Sequence, residues 1–280
     1  MNILTFDIED WYCRDNISRD MQWDKFEVRI YDNTHRILDV LEEKKQKATF
    51  FCLGWLAEKH PAIIKEISIK GHQVGCHSYQ HELSSRFDRK TFFEDTNKAK
   101  KCIEDTIGKE VDAFRAPAFS ITEANLYTIE ILSELGFHTD CSIFPASRDF
   151  GGMPEFGIAE PAYIEYNGIL LKEFPINLKK IMNYNIIFSG GGYFRFMPYL
   201  MTKYFTQNSS YVMCYMHPSD FDPTQPYITH LPKLREWKNH VGLKKAFSKF
   251  KKYIADFEFL SICEADKLID WKRAKIVKLK

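Results

Sequence analysis

His77 and His81 stand four residues apart in the run Gly75-Cys76-His77-Ser78-Tyr79-Gln80-His81. On a helical turn that spacing puts both imidazoles on one side, so two ring nitrogens can aim at one point. Such a pair suits a borderline divalent cation such as zinc. It is incomplete alone, because a catalytic cation takes a third protein donor and keeps a position open. Acids are concentrated at Asp7, Glu9 and Asp10, directly after the apolar run Ile3-Leu4-Thr5-Phe6, and three carboxylates there are costly without partners. Arg115 and His217 each follow a later apolar run. Singly, each has an ordinary reading: a solvated loop for the acids, a structural ion pair for Arg115, a turn for His217 ahead of Pro218. The same holds for His35, His60, His72, His138, His230 and His240, expected to be satisfied surface or core residues. Together the first set describes hydrolysis of an amide or ester. The two imidazoles and one carboxylate hold a cation that acidifies water, and a second carboxylate takes the proton. His217 donates to the leaving group, and Arg115 orients or tunes the carboxylate base. The developing oxyanion would be held by the cation and a backbone N–H.

These groups need elements that bring them together. Apolar runs at 3–6, 48–53, 73–76, 111–114, 137–141, 169–174, 211–216 and 257–263 read as strands. Between them lie helical patterns over Asn33–Lys47, Trp55–Lys70 with a break near His60 ahead of Pro61, Arg89–Ile107, and Thr122–Leu135. Further helices are expected over Phe196–Phe205, Leu243–Ala255 and Ala265–Asp270. Strand and helix alternate about seven times, and no strong linker interrupts residues 1–280. A single α/β domain with a mainly parallel sheet closed into a barrel follows, with an open doubly wound sheet as the alternative. Asp7 and Glu9, His77, Arg115, Asp140 and His217 all fall just after strands, where active sites of α/β barrels lie. If Asp7 continues the first strand facing inward, Glu9 faces the same way and Asp10 belongs to the turn.

Composition narrows the function. The net charge of +1 argues against broad capture of nucleic acid, and the basic end, Lys272 to Lys280, reads as solvated. Seven scattered cysteines without a CxxC spacing read as small buried hydrophobes, not a disulfide framework. No apolar run approaches the ~20 residues of a membrane helix, and MNILTFDIEDWY lacks the pattern of a secretory leader. A cytoplasmic, reduced protein is the expectation. Aromatics make up 15% of residues, mostly Phe, which argues for core. Trp11, Tyr12, Tyr193 and the loop from Pro145 to Tyr166 are candidates for sugar contacts. The face of Met197, Leu200, Met201 and Phe205 is core or an interface.

The motifs resemble those of the polysaccharide deacetylases, the NodB-homology group of carbohydrate esterases, over most of the chain. They are Thr5-Phe6-Asp7-Ile8-Glu9-Asp10, His77-Ser78-Tyr79-Gln80-His81, Arg115-Ala116-Pro117, Asp140-Cys141-Ser142 and Met216-His217-Pro218, in that order. With Asp7-Ile8-Glu9-Asp10-Trp11, Phe114-Arg115-Ala116-Pro117-Ala118-Phe119-Ser120, Gly190-Gly191-Gly192-Tyr193-Phe194-Arg195 and Tyr215-Met216-His217-Pro218, the chain is similar to a subgroup from bacterial exopolysaccharide and surface-glycan gene clusters. The resemblance implies a distorted (β/α)7-type barrel that removes N-acetyl groups from amino sugars of a polysaccharide or its precursor. It implies Asp7 as base, supported by Arg115, His77 and His81 as ligands of a divalent metal, and His217 as acid. Zinc is the expected metal, with cobalt, nickel or iron as alternatives. The family pattern has two adjacent aspartates, the second a ligand, whereas here Ile8 follows Asp7. The third ligand is therefore Glu9 or Asp10. Glu9 is preferred, because alternation keeps it on the face of Asp7 and related members use an acid-x-acid spacing. Two other functions fit the same residues: a metal amidase acting on a small non-sugar amide or ureide, and a catalytically inactive barrel that binds glycan.

Overall fold

The computed structural model describes residues 1–13, 22–181, 184–228 and 231–280. His230 lies outside the described residues. The strands are β1 Asn2–Ile8, β2 Thr49–Cys52, β3 Gln73–Cys76, β4 Ala113–Phe114, β5 Thr139–Asp140, β6 Ala162–Tyr166, β7 Ile169–Glu173, β8 Lys179–Ile181, β9 Tyr184–Ile186, β10 Val212–Met216 and β11 Ile276–Lys278. The helices are α1 Ile30–Glu43, α2 Gly54–Lys59, α3 Pro61–Ile69, α4 Arg89–Ile107, α5 Tyr127–Glu134, α6 Gly191–Phe196, α7 Tyr199–Gln207, α8 Lys233–His240, α9 Leu243–Asp256 and α10 Ile262–Leu268.

Among the described residues nine strands form one sheet, in the order β10-β1-β2-β3-β4-β5-β7-β6-β11. Every pairing is parallel except β6 with β7, which turn on Asn167-Gly168, both at positive φ. That dipeptide favours a tight hairpin because both residues tolerate the left-handed region. Among the described residues no ladder joins β10 to β7; side chains bridge that gap. Asn177 Oδ1 accepts from Met213 N at 2.8 Å and from Ser189 Oγ at 2.9 Å, and Tyr211 donates its hydroxyl to Pro175 O at 2.8 Å. The result is the distorted, parallel-dominated α/β barrel expected from the alternation of elements.

Alternation along the strands sorts two apolar layers. Leu4, Phe6, Ile8, Phe50, Cys52, Phe114, Val212, Cys214 and Met216 pack outward against the helices. Ile3, Phe51, Ala113, Met213 and Tyr215 fill the interior. Thr5 and Asp7 share the inward parity of Ile3, so a carboxylate lands inside the barrel mouth at 3% exposure. Gly75 lies opposite Phe51, and a Cβ there would come within 2.6 Å of the ring, so only glycine lets that aromatic lie flat across the interior.

The expected break near His60 is present: separate helices lie on either side of it, as Pro61 requires. Other elements depart from the sequence expectation. The helix expected over Phe196–Phe205 is likewise two, because Pro198 starts a new one. Phe257–Cys263 is not a strand: Leu260 makes a lone bridge to Ile3, and α10 begins at once. The cause is a capping box, in which Ser261 and Glu264 each accept the other's backbone N–H. The basic end is not wholly solvated coil, since β11 pairs with β6. Among the aromatics proposed for sugar contact, Trp11 and Tyr12 are core, packed against Trp23, Phe26 and Trp55. Tyr193 is 46% exposed. On the face proposed as core or interface, Phe205 is buried while Leu200 and Met201 are exposed.

Candidate active site

Each site residue sits at or just beyond a strand's C-terminal end. Asp7 closes the inward face of β1 and Glu9 follows it, while His77, Arg115 and His217 come directly after β3, β4 and β10. Arg115 is fully buried among Phe51, Phe119 and Met213. Its Nη1 donates to Asp7 Oδ1 at 2.7 Å and to Thr5 Oγ1 at 2.7 Å, and its Nε donates to Cys141 O at 3.3 Å. The guanidinium thus fixes one oxygen of Asp7. The other, Oδ2, lies 3.8 Å from His217 Nε2.

Glu9, His77 and His81 bring three donor atoms within 4.8 Å of one another. The histidines do not achieve this on a helical turn, as the i, i+4 spacing suggested. The segment is a loop with Ser78 and His81 both at positive φ. Ser78 Oγ accepts from His81 N at 3.1 Å, and Asp95 Oδ2 on α4 accepts from Tyr79 N at 2.9 Å. Left-handed backbone at two non-glycine residues is strained, and such strain persists where surrounding contacts over-determine it.

The His77 ring is oriented by its neighbour. Its Nδ1 lies 2.7 Å from Arg115 O, and a carbonyl only accepts, so Nδ1 carries the proton and Nε2 keeps its lone pair. Burial pushes the His77 imidazolium down to about 4, which favours that neutral form. Burial would raise the Glu9 carboxyl, but His81, His217 and His77 outweigh it and hold it below the usual carboxylate range. Glu9 Oε2 lies 2.6 Å from His81 Nε2, yet neither Glu9 Oε2 nor His81 Nδ1 is aligned with a hydrogen-bond partner. Buried polar atoms left in this way, next to a neutral imidazole and an ionised carboxylate, fit a divalent cation.

Asp10, the alternative third ligand, is engaged elsewhere. Its carboxylate accepts from Trp11 N, Arg29 N and Ile30 N at 2.7, 2.7 and 2.9 Å. It ties the turn after β1 to the start of α1 and is absent from the donor cluster.

His217 Nε2 lies 3.4 Å from Glu9 Oε1, and its Nδ1 lies 3.0 Å from Asp220 Oδ2. Burial would lower the imidazolium, but Glu9, Asp220 and Asp7 raise it to about 9. Asp220 Oδ1 is in turn 3.0 Å from Arg195 Nε, and Arg195 Nη1 and Nη2 donate to the carbonyls of Asn239, Val241 and Lys238 at the end of α8. The sequence reading did not single out Asp220 or Arg195 individually. One signal was present: a Cβ on Gly191 would come within 1.9 Å of the Asp220 carboxylate, so that glycine makes room for it. The remaining described histidines have other surroundings. His35 pairs with Glu66, His60 packs against Tyr31, and His240 stacks on Tyr227.

An α/β barrel with a carboxylate dyad, two histidines and an opposed histidine at its mouth places groups suited to acid–base chemistry and cation binding together. Two family models match parts of the chain. Residues 3–139 match the polysaccharide deacetylase model, and residues 141–267 match a domain of unknown function, DUF3473. That first segment, just under half of the chain, is similar to the polysaccharide deacetylases. It is 31% identical over 106 residues to a peptidoglycan-N-acetylglucosamine deacetylase of Bacillus cereus, covering 38% of this chain and 48% of that one. To a chitooligosaccharide deacetylase of Azorhizobium caulinodans it is 33% identical over 86 residues, 30% of this chain and 40% of that one. The chain thus spans less than half the length of these relatives. A Mycobacterium smegmatis structure assigned to the polysaccharide deacetylases superposes with a TM-score of 0.67 at 16% identity, over 100% of this chain and 92% of that one. The boundary between the two matched segments falls at β5, inside one continuous sheet. The first segment carries Asp7, Glu9, His77, His81 and Arg115, and the second carries His217, Asp220 and Arg195.

Proposed function

We propose that the chain is a divalent-cation-dependent hydrolase that removes N-acetyl groups from amino sugars of a bacterial surface polysaccharide or its precursor. The observation that carries this reading is the close grouping of an Arg115-held Asp7, the Glu9–His77–His81 cluster and the Asp220-backed His217, whose Nε2 lies 3.4 Å from Glu9 and 3.8 Å from Asp7. Glu9, His77 and His81 would hold the cation, with zinc the expected ion. When bound, it would supply Lewis-acid polarisation of the acetamide carbonyl and acidify water.

The chain's own groups account for the proton movements. Asp7 Oδ2 is the base that takes a proton from the attacking water. Arg115 keeps Oδ1 occupied, so the oxygen left for the water is the one on the side of His217. His217, protonated at neutral pH by its acidic neighbours, donates from Nε2 to the departing sugar amine. Asp220 on Nδ1 fixes the ring and supports its cationic form. The products are acetate and a free amino sugar. Both matched segments contribute to this machinery, so residues 1–280 act as one unit in this reading. Among the described residues no helix is long and apolar enough to cross a membrane. Cys52, Cys76, Cys102, Cys141, Cys214 and Cys263 are free thiols, which supports a reducing, cytoplasmic location.

The test is a substrate panel with added zinc or cobalt, containing N-acetylglucosamine oligomers, bacterial glycan precursors and small cyclic amides and ureides. Acetate release from the sugars alone supports the proposal. Turnover of the small amides alone would transfer the reading to a metal amidase. Glycan binding without turnover of any substrate would make this an inactive barrel.

A further inference from the structure

Asp140 and Glu173, both wholly buried, have no role in the proton movements above. They face each other in register between β5 and β7. Glu173 Oε1 accepts from Ile143 N at 3.0 Å, and Asp140 Oδ1 accepts from the Ser142 hydroxyl. The remaining oxygens, Asp140 Oδ2 and Glu173 Oε2, have no donor from any other group. Two buried carboxyls side by side cannot both be ionised. A proton held between them supplies the missing donor, and burial accordingly raises both acids, Asp140 to about 6 and Glu173 well above its ordinary value.

The pair leads back to the site. The Ser142 hydroxyl donates to Asp140, and its oxygen accepts from Ala116 N at 2.8 Å. Ala116 N–H and Arg115 C=O belong to one planar peptide unit. The carbonyl of that unit is the acceptor of His77 Nδ1–H at 2.7 Å. One peptide is thus pinned at its N–H end by Ser142 and presents its oxygen to a residue of the donor cluster. Hydrogen bonds in such a chain polarise one another, so a carboxylate at one end strengthens the carbonyl as acceptor at the other. Outer partners of this kind set the tautomer and basicity of a ligating imidazole.

We propose that Asp140, Ser142 and Glu173 are positioning residues for His77, acting through the Arg115–Ala116 peptide to fix the ring and strengthen its Nε2 as a cation donor. The inference rests on the cation-site reading above. It assigns a task to the DUF3473 segment, which contributes Ser142 and Glu173. A hydroxyl is required at position 142, because one atom must both donate to Asp140 and accept from Ala116.

The experiment is zinc affinity of the purified chain, read by competition with a chromogenic chelator, for wild type, His77→Ala, Ser142→Ala, Ser142→Thr and Asp140→Asn. Alongside it, the His77 Nδ1–H resonance is followed by NMR in metal-free protein. Ser142→Ala should bind zinc on the order of 10-fold more weakly, with the Nδ1–H resonance shifted upfield, and Ser142→Thr should restore both. Asp140→Asn, which keeps shape and loses charge, should weaken binding to a smaller degree while remaining folded. Zinc affinity and resonance unchanged in Ser142→Ala and Asp140→Asn, with His77→Ala impaired, would overturn the inference and leave the cation site standing. A threonine that does not restore affinity also overturns it, by reducing Ser142 to a packing role. Wild type that binds no better than His77→Ala would remove the cation-site reading, and this inference with it.

Discussion

His217 Nδ1 lies 3.0 Å from the carboxylate of Asp220, three residues further along the same turn. The proposed acid and its carboxylate partner are therefore held by one short piece of chain, and Arg195 anchors that piece to the end of α8. Replacing Asp220 by Asn removes a negative charge from the ring without removing its shape. The His217 imidazolium loses one of the groups that raise it. A general acid must carry its proton, so activity falls as pH rises through its pKa. Asp220→Asn should lower kcat by about 10-fold or more with KM little changed, and shift the alkaline limb of the pH–rate profile to lower pH. An alkaline limb in the wild-type position would show that Asp220 does not act on His217.

Arg115 and Asp7 form a buried pair, 0% and 3% exposed, 2.7 Å apart. Breaking such a pair from one side leaves an uncompensated charge and costs about 3–5 kcal/mol. Arg115→Met should show that loss in urea denaturation, together with loss of activity. Asp7→Asn should spare more of the stability, because Asn can still accept from Nη1. Its kcat should fall by roughly 10²–10⁴.

Glu9 and Asp10 are adjacent in sequence and opposite in the tasks proposed for them. Zinc should raise the melting temperature of wild type, because a ligand that binds only the folded state stabilises it by mass action. Glu9→Gln should abolish most of that rise. Asp10→Asn should keep it while lowering the metal-free melting temperature, since its carboxylate serves three backbone N–H groups. Thermal scans with and without chelator measure both effects, and the reverse pattern would exchange the two assignments.

The Asp140–Glu173 pair also has a stability signature. The folded chain holds its protons above the pH at which the unfolded chain releases them. Asp140 moves from an ordinary value of 3.8 to about 6 on folding, and Glu173 is raised as well. A raised pKa gives stability that is fully present below the unfolded value and is lost as pH rises through the folded one. Wild type should therefore lose stability from about pH 4 upwards across this window. Asp140→Asn, whose amide can donate to Glu173, should flatten that slope in urea titrations repeated across pH.

Much of this site was legible because barrel geometry converts position into proximity. Residues just beyond parallel strands converge, so Asp7, His77, Arg115 and His217 could be assembled from the pattern of apolar runs alone. The alternation argument also placed Glu9 with Asp7. The means by which His77 and His81 meet was not legible, since a spacing of four does not distinguish a helix from a loop with two left-handed residues. Asp220 was hidden because its partner lies on the same short turn, where an acid reads as an ordinary cap. Trp11 and Tyr12 looked like sugar platforms next to the acids, but they pack inward against Trp23, Phe26 and Trp55. The hairpin of β6 and β7 was missed although Asn167-Gly168 signals it. Phe257–Cys263 has strand-like residues, yet the Ser261–Glu264 cap starts a helix inside it.

The central claim is that Glu9, His77 and His81 hold a cation without which the barrel does not release acetate. Its most direct measurement is acetate release from N-acetylglucosamine oligomers by chelator-stripped protein, titrated with zinc, for wild type and His77→Ala. Activity that is absent in stripped wild type, returns in proportion to zinc up to one equivalent, and fails to return in His77→Ala is the predicted result. Full acetate release by the stripped protein, or equal recovery in His77→Ala, would contradict the account.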